Sequence, residues 1–450
     1  MLLPPLLLLA VAAAGGGDAC RERRRVPVGS GSVARQTSPA QHAAARHRAR
    51  AQAAIQHRFV PSLQHPAVAV SVGADLVNVT RDLGANNPSV QFDGTNWHYH
   101  FARGDAGWVS AFEVANAHHI RCIYFPRGTY WFGKTTATPP AYPSTAVDLS
   151  LYPNLWNGGA VDIFGDGDYL TEFTTWAPVA DGPMLELSSS KSFATMAWRI
   201  HGFHFDGCST EYSFAINSPA HEAPRAEHNN LKLFDVSFYN HLENNTCHGN
   251  KFNATQGQTS TSAKGAVYLA HIWSSQLEMG LATVATSAPP AAFNDTAGVT
   301  LNEVQYSTLS LRGAGTHTDE TWQGVVPWVP QAYPGWGILL LSNVNSNTVV
   351  QTHCEGSGGC VLISGQGNFE NQWTTGVMSM MQRCLIASHD PLGYNVFDSI
   401  VVNRYPTNRT TGKGGCVRPE DKEGCVRFSE TTEGDPTKLI IKHMTVLDEL

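Results

Sequence analysis

Short apolar runs recur through the second half of the chain, each flanked by turn-forming residues. Residues 337–342, 359–364 and 383–388 read GILLLS, GCVLIS and RCLIAS, one short strand written three times. Ile338 to Val361 is 23 residues and Val361 to Leu385 is 24. A constant interval in that range marks a solenoid in which each repeat stacks on the last. Between the repeats lie turn segments such as Asn343 to Asn347, followed by strands such as the one from Thr348 to Gln351. A second pattern alternates with period two, as a strand with one buried face must. It appears at residues 198–205, 232–238, 301–306, 396–402 and 440–446. Phe203/Phe205, Val236/Phe238, Val304/Tyr306, Ile400/Val402 and Met444/Val446 form the inward set, with mostly polar residues between them. These strands predict an all-β chain in which coils stack about 4.8 Å apart. A β-sandwich or propeller uses similar strands but does not account for the 23/24 spacing.

Composition supports this and narrows the environment. The 450 residues are 42% hydrophobic and only 15% charged, and their 41 Gly and 25 Pro exclude a coiled coil or helical solenoid. The net charge of −7 is unevenly spread. Residues 1–66 carry nine Arg against Asp18 and Glu22, or +7, which leaves −14 on the rest. So acidic a body argues against nucleic acid as a partner. Residues 1–14, MLLPPLLLLAVAAA, have the form of a secretory signal, and residues 1–19 are assigned to it. No later stretch approaches 18 apolar residues, so the mature protein is expected to be soluble rather than membrane-bound. Residues 20–66, opening on RERRR, are Ala/Arg-rich and read as a pro-segment or linker. Glycosylation acceptors stand at Asn78, Asn244, Asn253, Asn294 and Asn408. Nine Cys fit an oxidising compartment. Cys416 and Cys425 bracket a short loop suited to a local bridge. Cys360 pairs either with Cys384 on the next coil or with Cys354 across a Gly-rich loop. The C-terminal Asp448-Glu449-Leu450 is close to a retrieval signal, so retention in the endoplasmic reticulum stands beside secretion.

The segment from Val77 carries more specific features. They are Arg81-Asp82-Leu83-Gly84-Ala85, Asp93-Gly94-Thr95, a helix from about Trp108 to Ala117, Tyr124-Phe125-Pro126-Arg127-Gly128-Thr129-Tyr130, and Gly165-Asp166-Gly167 with Thr171. In order and spacing this segment, to Trp176, resembles the opening of the pectate-lyase-like superfamily of right-handed parallel β-helices, which includes phage tailspikes and several polysaccharide lyases and hydrolases. The resemblance implies a single-stranded right-handed parallel β-helix over residues 67–450, a capping helix that buries Val109, Phe112 and Ala115, and a polysaccharide ligand on an outer flank. The motifs of the polygalacturonase branch (Asn-Thr-Asp, Asp-Asp, Gly-His-Gly, Arg-Ile-Lys) are not found in the chain.

Candidate chemistry follows from that frame. Asp235 and Glu303 precede the inward Val236 and Val304, so they take equivalent places in the alternating pattern. If they face one groove one or two coils apart, their carboxylates lie roughly 5–10 Å apart, a range that covers retaining and inverting glycosidases. Asp206 and His204 are further candidates on the same face. His353 and Glu355 form a weaker acid/base pair beside Cys354. An insertion at about residues 313–336 interrupts the repeat and carries Trp322, Trp328, Tyr333 and Trp336 beside His317, Asp319 and Glu320. Aromatic faces and acids of that kind suit the wall of a saccharide groove. His98, His100, His118 and His119 lack a third ligand at metal-binding spacing. No metal or cofactor is expected, and no acid cluster demands calcium. The expected activity is cleavage of an extracellular polysaccharide by hydrolysis or elimination, with a binding or surface-coat protein and a uronic-acid epimerase as alternatives. The sequence leaves the oligomeric state open.

Overall fold

The computed structural model describes residues 76–133, 142–157, 159–175, 177–179, 181–219, 225–243, 246–247, 250–251, 263–285, 296–317, 335–355, 357, 359–379, 384–388, 394–404 and 439–448. The signal and pro-segment assignments, the pair Cys416/Cys425 and most of the aromatic insertion lie outside these residues.

Among the described residues, the chain is all-β, with two sheets of 19 and 10 strands. The smaller sheet is parallel throughout, and the larger one is parallel except where hairpins close on themselves, as between Ser89–Phe92 and Trp97–His100. Successive strands in each sheet come from successive turns of the chain, which is the arrangement of a β-helix or solenoid. Ile338 pairs with Val361, as the 23-residue spacing requires. Val361, however, pairs with Ile386 rather than Leu385, so the third repeat is shifted by one residue. The same shift sets Cys384 beside Gly359, not Cys360. Cys360 instead bonds Cys354, with the two Cα atoms 5.4 Å apart. That bridge ties strand Thr348–Glu355 of the larger sheet to strand Gly359–Ile363 of the smaller one.

Each coil turns sharp corners, and these explain the alternating pattern. The strand Arg199–Gly207 pairs through its first half with Asp162–Gly165 and through its second with Thr171–Thr175. Between the halves stands Gly202, with φ 76°. On later coils the same corner is taken by Asp235 (φ 53°), Gln351 (54°), Thr375 (53°), Ser399 (57°) and His443 (47°). One left-handed residue thus lets a strand change direction without breaking its ladder. Gly202 is also needed for space, because a Cβ placed on it would stand 2.7 Å from the carbonyl oxygen of Gly165 on the preceding coil. A β-branched residue is the least suited to this conformation. Thr375→Gly is therefore expected to raise stability by about 1 kcal/mol, seen as an upward shift of the denaturant midpoint.

The interior is filled by much of the inward set, although Met444 is 44% exposed. Phe203, Phe205, Val236, Phe238 and Val304 are all fully buried. Tyr306 does not belong with them, since it is 63% exposed and turns a corner with φ 53°. The helix Trp108–Ala117 buries Trp108, Ala111, Phe112 and Ala115, while Val109 is only partly covered. Trp108 meets Phe125, Phe173, Phe203 and Phe205 with ring centroids 5.0, 5.4, 6.0 and 6.4 Å away. A polar ladder runs through a different turn. The backbone N–H of Leu231 donates to Ser275 Oγ, that of Ser275 to Ser307 Oγ, and that of Ser307 to Asn347 Oδ1. From there Asn347, Asn371 and Asn395 link side chain to side chain at 2.9 and 2.8 Å. Backbone groups at the turns are thereby satisfied where no water reaches.

Candidate functional site

The strands that place the leading candidates separate them. Asp235 lies in Lys232–Glu243, which pairs with Arg199–Gly207 in the larger sheet. Glu303 lies in Ala297–Gln305 of the smaller sheet. Both occupy left-handed corners, at φ 53° and 52°, but on different sides of the coil. Period-two alternation looks alike on every side, so the expected Asp235/Glu303 pair does not form. Glu303 instead binds His271, Oε2 to Nδ1 at 2.8 Å. Arg225 Nη1 lies 2.7 Å from the other ring nitrogen. A guanidinium only donates, so His271 Nε2 accepts and its Nδ1–H donates to Glu303. Burial lowers the His271 pKa, against the pull of Glu303. The group braces a corner with a neutral imidazole.

Asp206 and His204 do come together, and with a partner the sequence reading missed. In Arg199–Gly207 the inward Phe203 and Phe205 leave His204 and Asp206 on the outer face. The preceding coil contributes Glu172 from Thr171–Thr175, where Phe173 points inward and Glu172 pairs in register with His204. One ligand atom from each of Glu172, His204 and Asp206 lies within 4.8 Å of the other two. Thr129, one coil further back, donates its hydroxyl to Glu172 Oε2 at 3.0 Å. On the next coil His241 Nε2 stands 3.2 Å from Asp206 Oδ1.

Electrostatics distinguishes the two carboxyls. Burial, and then the charge of Asp206, raise the Glu172 pKa above its ordinary value; the Thr129 hydrogen bond and the nearby His204 only partly oppose this. Glu172 therefore holds its proton more tightly than a solvated carboxyl does. His204 is 7% exposed, with Nδ1 facing Asp168 Oδ1 at 3.4 Å. Asp168 accepts a hydrogen bond from Ser237 Oγ at 2.6 Å. Its backbone N–H donates to Asp235, so Asp235 joins the edge of the same cluster while Glu303 does not. Burial also raises the pKa of Asp235, and the charge of Asp168 adds to the effect.

Tyr169 and Tyr239 flank the imidazole. Their ring centroids lie 4.3 and 5.1 Å from that of His204, and their hydroxyls are 3.2 Å apart. The cluster thus offers a carboxyl that holds its proton more tightly than usual, a second carboxylate beside an imidazole, and aromatic walls. Two carboxylates and a histidine are also a donor set that suits a divalent cation.

The remaining candidates lie elsewhere. Trp336 is 3% exposed within strand Trp336–Leu340, against Ala297, Leu339 and Leu362, so it is no part of a groove wall. The repeat is interrupted over a shorter stretch than expected, because Ala314–His317 is itself a strand. Asp319, Glu320, Trp322, Trp328 and Tyr333 lie outside the described residues. So do the acceptors Asn244, Asn253, Asn294 and Asn408. Asn78 is described, half-buried, with Oδ1 accepting from the Thr80 hydroxyl at 2.9 Å. His98 contacts Asp93 and Trp131 rather than a metal-binding set. Cys354, between His353 and Glu355, is taken up by the disulfide. Comparison with protein-family models, with curated proteins and with solved structures yields no match for this chain.

Proposed function

We propose that the protein is a secreted glycoside hydrolase of a neutral polysaccharide, built on a right-handed parallel β-helix whose open end is capped by the helix Trp108–Ala117. The observation that carries this reading is the Glu172/Asp206 pair, in which burial and then the charge of Asp206 raise the pKa of Glu172. Their oxygens lie within 4.8 Å. That is closer than the roughly 6.5–9.5 Å an inverting pair needs for an intervening water, and nearer the spacing of a retaining pair. Asp206, oriented by His241, attacks the anomeric carbon while Glu172 gives its proton to the departing glycosidic oxygen. The resulting glycosyl ester is cleaved by water, which surrenders its proton to Glu172. Acid and carboxylate are thus restored, with retention at the anomeric centre.

The choice of a neutral glycan rests on charge. The charged groups acting on Glu172 are Asp206, His204 and His98, and those acting on Asp235 are Asp168, His201 and Glu278. With Glu172 and Asp235 themselves included, carboxyls outnumber imidazoles among these groups, so the surface disfavours a uronate chain. The likeness of residues 77–176 to the pectate-lyase-like superfamily supports a polysaccharide ligand, and the apolar start with five sequons supports secretion.

The test is a panel of neutral polysaccharides incubated with the secreted protein. New reducing ends without an ultraviolet-absorbing unsaturated sugar are expected, and EDTA should leave the rate unchanged. An absorbing product would mean elimination and overturn the hydrolytic reading. Loss of activity in EDTA, restored by a divalent cation, would assign the Glu172/His204/Asp206 set to a metal instead.

A further inference from the structure

We infer that Tyr169 is a stacking platform for one pyranose ring of the substrate, immediately beside the carboxyl pair. The inference rests on the hydrolase reading for its ligand class, and its own basis is geometric. Tyr169 lies in the turn between strands Asp162–Gly165 and Thr171–Thr175. It is 56% exposed, a large value for a tyrosine whose ring is already packed on a neighbour. One face lies on His204, with centroids 4.3 Å apart and planes inclined by 26°. The exposure must therefore fall on the opposite face and the edges.

Several contacts hold that face in place. The Tyr169 hydroxyl is anchored 3.2 Å from that of Tyr239. The turn itself is pinned on both sides. Asp166 accepts from the Tyr124 hydroxyl at 2.9 and 3.0 Å and from the Arg127 N–H at 2.8 Å, and Asp168 accepts from Ser237. Tyr169 adopts φ 63°, a left-handed conformation that is unfavourable for a residue other than glycine. A strained backbone, a fixed hydroxyl and one covered face give a rigid ring that presents its other face outward. A pyranose has a matching apolar C–H face, and a preset aromatic wall binds it with little loss of conformational freedom. Because His204 adjoins Glu172 and Asp206, the next sugar along the chain would lie over the pair.

The experiment measures binding in the Glu172→Gln protein, so that the ligand survives. The probes are the neutral polysaccharides of the panel, with affinity read by retardation in gels containing each polymer. The Tyr169→Leu variant keeps the bulk over His204 but lacks a flat face, and is expected to weaken binding about tenfold. The Tyr169→Phe variant keeps the face and is expected to stay within about twofold. Equal affinity in the Leu variant, an equal loss in the Phe variant, or no retardation by any neutral polymer would overturn the platform. Weakened binding in the Leu variant of a protein that shows no hydrolysis would retain the platform and refute the catalytic reading.

Discussion

Glu172→Gln is expected to lower kcat on a natural polysaccharide by about 10²–10⁴-fold, the usual contribution of a positioned general acid. Glutamine keeps the shape and can still accept from Thr129 Oγ1, but it has no proton to give. Two further readouts assign the role. On an aryl glycoside whose leaving group needs no proton, Glu172→Gln should keep most of its glycosylation rate, whereas Asp206→Asn should lose it. The pH profile supplies the other. Activity that depends on protonated Glu172 declines as pH rises through its raised pKa, and the variant should lack that alkaline limb. The stability consequence has the opposite sign to the kinetic one. A carboxyl whose folded pKa is raised stabilises the fold relative to its ionised form only at low pH, and that contribution fades as pH rises through the folded value. Above pH 4.5, where the unfolded chain ionises this carboxyl freely, the burial of Glu172 is therefore a cost, and Glu172→Gln should unfold at higher denaturant than the parent. The two proteins should converge below pH 4.5, the ordinary value for a glutamate. A variant that is more stable yet nearly inactive is the pattern of a group kept for chemistry. Parent-level turnover by Glu172→Gln would remove this residue from the mechanism.

Much of the fold was legible because repetition and alternation are written directly in the chain. The helix Trp108–Ala117 and the turn from Phe125 through Gly128 stand where the sequence places them. What failed were the inferences that needed to know which side of a coil a strand occupies. Asp235 and Glu303 share a local pattern because corners on both sides of the coil use one left-handed residue followed by an inward one, and this pattern does not distinguish corners. The slip from Leu385 to Ile386 has a related cause. In the smaller sheet Val361, Leu362 and Ile363 are all buried, so the strand is apolar on both faces and alternation cannot fix its register.

Glu172 escaped notice for another reason. It pairs with His204, 32 residues on, and His204 pairs with Ser237, 33 residues on, so the coils at the site are longer than the 23/24-residue repeats that revealed the solenoid. The signal was nevertheless present. In TEFTT a single acid stands outward beside a buried Phe173, two residues from the polar Thr174 that pairs with Asp206. Outward acids on adjacent coils are costly neighbours unless one is protonated. Trp336 shows the converse error, since a tryptophan at the end of an insertion became a strand residue of the following coil.

The regularity of the later coils also locates a position on which the fold depends strongly. Asn371→Leu is expected to destabilise the fold by about 3–5 kcal/mol, measured by denaturant unfolding. Asn347, Asn371 and Asn395 are spaced 24 residues apart, in step with the strands, and are 2%, 1% and 2% exposed. Asn371 Nδ2 donates to the Val344 carbonyl and to Asn395 Oδ1, both at 2.8 Å. Its Oδ1 accepts from the backbone and side chain of Asn347 at 3.2 and 2.9 Å. Leucine matches the volume but supplies none of these bonds, leaving buried donors and acceptors that water does not reach. A middle rung should matter most, because its loss breaks the link to the coils on both sides. Asn371→Asp separates hydrogen bonding from packing. It keeps the shape and the accepting oxygen, but once ionised it presents a carboxylate to the Val344 carbonyl and to Asn395 Oδ1. Its burial raises its pKa, so the penalty should grow as pH rises through that value and shrink in acid, where the protonated form can donate once. A cost for Asn371→Leu below about 1 kcal/mol, or an Asn371→Asp penalty that does not vary with pH, would mean that the ladder follows from the stacking of the coils rather than holding them together.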